Sequence, residues 1–164
     1  MDNRILIYNG GRSMKTRIRL GLLLGFLLTS ILWIPSDGFG EEIFVIANRA
    51  FPTTSINSLD LMEIYTGHYV VYQRFKIQPL DQPDEVKIKR LFLAKVMNFT
   101  LEGYKVHWQK WTFKTGRQPP MVVQDSKELI RAVQKEAGGM GYVWDRDAQG
   151  VEGIKVLLKI PVNE

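Results

Sequence analysis

Cysteine is absent from the 164 residues, and histidine occurs only at His68 and His107. The first absence removes thiolate nucleophiles, disulfide staples and thiolate metal sites. The two histidines lie too far apart in sequence for a local metal motif and read as rim or surface residues. No G-x-S-x-G, H-E-x-x-H, P-loop or G-x-G-x-x-G motif occurs, so neither a nucleophile–base pair nor a phosphate cradle is visible. The expectation is a protein that is not an enzyme and holds no cofactor or metal. Repeats and low-complexity tracts are also lacking, and an apolar content of 45% excludes a disordered chain.

The net charge of +5 invites a nucleic-acid reading, but its location argues against one. Five of the 22 Lys and Arg and two of the 17 Asp and Glu precede Glu41, leaving 17 against 15, or +2, for the rest. The basic excess belongs to the N-terminal segment, and no nucleic-acid partner is expected.

That segment has the form of an export signal. Lys15, Arg17 and Arg19 form a cationic head, Leu20 to Ile34 is apolar without a charge, and Pro35, Gly38 and Gly40 follow. The pattern predicts a secretory leader over residues 1–40, with an upstream extension before Met14, and a periplasmic product. The apolar run is short for a span, which usually needs about 20 residues. Cleavage near Gly40 leaves no stable membrane span. The alternative is a retained inner-membrane anchor.

Residues 41–164 read as a single layered α/β domain with a mixed sheet. Ile43–Ala47 is a β-branched and aromatic run of the kind buried on both faces. A polar loop follows to Asn57, and Ser58 is positioned to cap a helix that Gly67 stops. Phe75–Leu80 reads as a second strand. A helix from Asp84 to Asn98 places Ile88, Leu91, Phe92 and Val96 on one stripe, with Lys87, Lys89, Arg90 and Lys95 mostly outside it. A third helix, Leu101–Trp111, has Thr100 as its cap. Asp125 and Glu128 form a capping box for a fourth, ended by Gly138-Gly139. Met140–Trp144 and Ile154–Ile160 close the sheet. The order β-α-β-α-α-α-β-β fits one layered domain.

Two regions offer binding chemistry. The loop after the first strand carries Asn48, Arg49, Thr53, Thr54 and Ser55, hydroxyls and a cation suited to an oxyanion near helix-terminal amides; its alternative is an ordinary capped loop. Trp108 and Trp111, with Tyr104 and Phe113, form either an aromatic platform for a partner or a core stripe. The acids Asp81, Asp84 and Glu85 flank a helix start, where negative charge is favoured.

These residues carry a resemblance. The stretch FVIANRAFPTTSINSLDLMEIYTGHYVVY, through Asn48, Leu59, Leu61, Ile64 and Gly67, resembles the "V-V-N, S-L, L-x-x-I-F-x-G" segment of phosphate-type periplasmic substrate-binding proteins. Tyr65 replaces its phenylalanine, and Tyr72 falls where its tryptophan comes. Phe92 and Val96 match the helix after the ligand loop. WQKWTFKTGRQPP, with Trp108, Phe113, Gly116, Pro119 and Pro120, is similar to a block of short single-lobe relatives. GGMGYVWD, through Gly139, Gly141, Tyr142 and Val143, resembles the family's "P-G-A-I-G-Y-V" strand. The resemblance implies one lobe of a type II periplasmic binding protein, a small oxyanion ligand, and an inner-membrane transporter or sensor as partner. It places Gln82 in the ligand loop. The family's arginine and Ser-Gly-Thr turn is replaced there by Asp81-Gln82-Pro83-Asp84: Pro83 lacks an N–H and the carboxylates repel phosphate. The readings are a solute-binding or sensing accessory of a phosphate-type transport system, or an interaction module that has lost ligand binding.

Overall fold

The computed structural model describes residues 41–162; the leader reading falls outside them. Twelve elements follow in order among them. Strand β1 is Glu42–Asn48 and helix α1 Ser58–Tyr65. A small hairpin, β2 (Val71–Tyr72) with β3 (Phe75–Lys76), leads to β4 (Gln78–Asp81). Helices α2 (Lys87–Met97) and α3 (Leu101–Thr115) precede β5 (Met121–Val122) and α4 (Ser126–Lys135). Strand β6 (Gly139–Trp144), the short helix α5 (Asp145–Ala148) and β7 (Ile154–Pro161) complete the order.

The sheet has the strand order β5-β4-β6-β1-β7. It is mixed: β4 runs parallel to β5 and β6, whereas β1 is antiparallel to both β6 and β7. Alternation of side chains across the pleat divides the core in two. Ile43, Val45, Ala47, Met140 and Tyr142 face α1, α2 and α3. Ile46, Leu80 and Val143 face α4 through Leu129, Ile130 and Val133. A buried side chain of this kind contributes about 1.5–3 kcal/mol relative to exposure, so the sheet needs both helical layers. Gly141 shows how closely the second layer docks: an added Cβ would lie 2.5 Å from Leu129 Cδ2.

Several local expectations need correction. Asn57, not Ser58, caps α1, its side chain accepting from the Asp60 N–H. Helix α2 begins at Lys87 rather than Asp84, and Val86 supplies no side-chain cap. The second strand is divided into β3 and β4, with Gln73 and Arg74 at positive φ in the tight turn before β3. Helix α4 ends at Lys135, before Gly138-Gly139. The glycines are needed instead for close approach, since a Cβ on Gly138 would sit 1.9 Å from the Lys76 carbonyl oxygen. Thr100 and Asp125 do cap α3 and α4, accepting from Gly103 N–H and Glu128 N–H.

Candidate functional site

Because β4 and β6 are parallel and β1 opposes them, the end of β4 and the start of β1 lie at one end of the sheet, and the end of β1 at the other. Ala47 pairs with Met140 at the beginning of β6, and Pro79 with the same residue. The loop after Asn48 therefore leaves opposite to the Asp81 segment, and the two sequence-predicted ligand regions do not converge.

At the β1 end, Asn48 is buried and fully engaged. Its amide donates to the carbonyls of Val133 (2.9 Å) and Gln134 (2.8 Å), and its Oδ1 accepts from Ala50 N–H. It ties β1 to α4. Thr53 and Ser55 form a local hydroxyl turn, with Thr53 Oγ1 donating to Ser55 O at 2.8 Å. Arg49 is exposed, and Thr54 lies on the same exposed loop.

At the β4 end the side chains form a closed charge network. Asp81 and Lys89 are 3% and 4% exposed. Lys89 Nζ lies 2.9 Å from Asp81 Oδ2 and 2.7 Å from Asp84 Oδ1; Lys105 Nζ lies 2.9 Å from Asp84 Oδ2. The other Asp81 oxygen accepts from Tyr142 Oη and from Gln82 N–H. Gln82 turns its amide inward to Tyr142 O at 2.7 Å. Hydrogen bonding to Lys89, then to Lys105, holds the Asp84 carboxyl below the ordinary aspartate range. Burial, reinforced by the charge of Asp81, raises the Tyr142 hydroxyl, which remains protonated and donates. Tyr104 is raised for the same two reasons and donates to Tyr65 O.

This network forms one wall of an open cleft of about 520 Å³, completed by Trp108, Gln109, Thr112, Pro119, Pro120 and Val122. Two cations oppose two carboxylates, so the wall is formally neutral. An entering oxyanion finds Lys89 already paired with two carboxylates and Asp84 facing it. At an effective dielectric near 20, like charges 4 Å apart repel by about 4 kcal/mol. Lys89, which the helical stripe leaves mostly outside the apolar face, is buried. Its usable signal is the pair of acids upstream, Asp81 and Asp84, which can reach a lysine on the first turn of α2.

Trp108 is buried between α3 and α1 and Trp111 half-buried. The Trp111 ring lies against His68, with centroids 4.4 Å apart, and stacks at 18° on His107. His107 Nε2 bonds Thr66 O at 2.9 Å. The aromatic stripe thus docks the C-terminal end of α1, while Phe113, at 95% exposed, turns outward. Among the described residues no group of three or more His, Asp or Glu is arranged to hold a metal ion.

No family model matches the sequence, and no curated protein matches it. Solved structures do. An ABC-type phosphate transport receptor from Vibrio cholerae is similar at a TM-score of 0.56 and 13% identity, covering 72% of this chain and 46% of the receptor. PstS from Borrelia burgdorferi is similar at 0.57 and 16%, covering 72% and 47%. The chain spans less than half the length of either. At these identities the likeness is one of architecture: the domain has the mixed α/β fold of one lobe of a type II periplasmic binding protein.

Proposed function

We propose that the protein is an exported, non-enzymatic binding module built on one periplasmic-binding-protein lobe, which serves an envelope transport or signalling partner without gripping a free oxyanion. The leader pattern of residues 14–40 supports export. One observation carries the reading of the site. At the start of α2, the buried cation Lys89 is held by Asp81 and Asp84 of the same chain. A phosphate there gains no net charge attraction and still loses hydration. Isothermal titration with phosphate and sulfate, at low and at physiological salt, tests this. No heat at millimolar ligand is expected, and micromolar binding abolished by substitution at Lys89 would overturn it.

The competing reading, a solute or oxyanion receptor within a phosphate-type transport system, draws support from the exposed loop with Arg49, Thr53, Thr54 and Ser55. Saturable oxyanion binding lost in a Thr53→Ala, Ser55→Ala double variant would move the function there. The partner reading is tested by crosslinking in envelope preparations. Recovery of the same inner-membrane transporter or sensor with wild type, and its loss when the cleft is blocked by Thr112→Trp, supports it.

A further inference from the structure

A second hollow lies on the other side of Trp108 from the charge network. It occupies about 220 Å³ between the end of α1, the β2–β3 hairpin, the start of β4 and the segment leading to β5. Its walls are mostly apolar, with Ile64, Val70, Ile77, Pro79, Trp108 and Met121, and Gln78 and Gln118 also line it. Its size is below the roughly 300–1,000 Å³ of sites for drug-sized ligands, which limits an occupant to a small body or one side chain.

One full charge lines this hollow, that of Arg117. Its Nη1 donates to Gly67 O and, at 3.4 Å, to His68 O, two carbonyls at the C-terminal end of α1. The guanidinium is therefore positioned in advance, with part of its rotamer entropy already lost. Its Nη2 and Nε find no acceptor, and it has no carboxylate partner, among the described residues. This is the reverse of the first cleft, where each lysine faces an aspartate. Gly67 keeps this corner open and fixes Trp108 beneath it: a Cβ there would meet Trp108 Cη2 at 2.6 Å.

We propose that this hollow is a site for a carboxylate carried on a small apolar body, with Arg117 taking the carboxylate and the Trp108, Ile64 and Ile77 walls taking the body. The carboxylate accepts the remaining guanidinium N–H groups in a charge-assisted fork, beside apolar walls that water leaves on binding. The same chemistry has two sources, a free acid or the C-terminal residue of a polypeptide. Val70 and Met121, 46% and 52% exposed at the rim, offer apolar surface to either. The hollow adjoins the Lys89 cleft through Trp108, Pro119 and Pro120, but its charge is that of Arg117, and its occupancy does not depend on the function proposed for that cleft.

The test follows the indole N–H resonance of Trp108, assigned with Trp108→Phe, while the full chain is titrated with phenylacetate, with phenylacetamide, and with a short peptide ending in phenylalanine as free acid or amide. Saturable shifts with the acids are expected, at a dissociation constant on the order of a millimolar or tighter for the small acid. Each amide should bind at least about tenfold more weakly, and Arg117→Gln should lose a similar factor. Val70→Asp, which removes apolar wall and places a carboxylate at the mouth, should weaken the acids more than the amides. Tighter binding of the free-acid peptide than of phenylacetate identifies a polypeptide terminus; the opposite order identifies a free acid. Equal binding of acid and amide, an unchanged affinity in a folded Arg117→Gln protein, or no saturable shift at tens of millimolar overturns the proposal.

Discussion

Replacing Lys89 with methionine isolates the physics of the first cleft. The methionine keeps much of the aliphatic stem and removes a charge that is 4% exposed and lies 2.9 and 2.7 Å from two carboxylates. Removing one partner of a buried pair typically costs about 3–5 kcal/mol, because the remaining charge stays desolvated. Asp81 keeps Tyr142 and the Gln82 N–H as donors, and Asp84 keeps Lys105, which places the expected cost near the lower end, about 3 kcal/mol. For a domain of this size each kcal/mol moves Tm by roughly 3–5 °C, so a fall of about 10–15 °C is expected. Adding Asp81→Asn removes the stranded charge and should restore at least about 1.5 kcal/mol, a coupling that urea unfolding of all four proteins of the cycle measures. A Lys89→Met protein within about 1 kcal/mol of wild type, with no coupling to Asp81, would refute a closed network.

Gly67→Ala should destabilise the domain by about 2 kcal/mol or more. A non-glycine residue at φ +80 is strained, and its Cβ would lie 2.6 Å from Trp108 and 2.9 Å from Trp111; thermal unfolding measures the loss. Stability should also fall in acid through Asp84. Its pKa is lowered in the folded state from the ordinary 3.8, so its contribution is present above about pH 3.8 and lost as pH drops through the lower folded value. Urea unfolding at pH 5 and at pH 3 should show a smaller loss for Asp84→Asn than for wild type.

Elements set by local chemistry are legible in the order of residues. The buried run of β1, the amphipathic α4 with Asp125 as cap, and α3 with Thr100 as cap all follow from short-range patterns. Lys89 and Trp108 share a cause, which is dependence on a distant partner. Lys89 lies beside Ile88 on α2, and helical periodicity places a lysine there at the edge of the apolar face. Its burial depends on Asp81, which arrives from β4. Trp108 has two readings because spacing along α3 does not say what covers it; α1 covers it through Gly67. The β2–β3 hairpin is hidden because Gln73 and Arg74 adopt positive φ in its turn without a glycine to announce it.

Within this chain, residue order alone determined the four longer helices, the caps Thr100 and Asp125, and the acidic segment standing where the resembling family carries donors. Those properties depend on neighbours within a few residues. Only the tertiary structure decided which end of the sheet each loop leaves from, that Lys89 is neutralised from within, and that Arg117 faces a hollow without a counter-charge. Each of those depends on strand direction and on contacts between elements distant in sequence, and electrostatics acts through that spatial proximity, not through the order of residues.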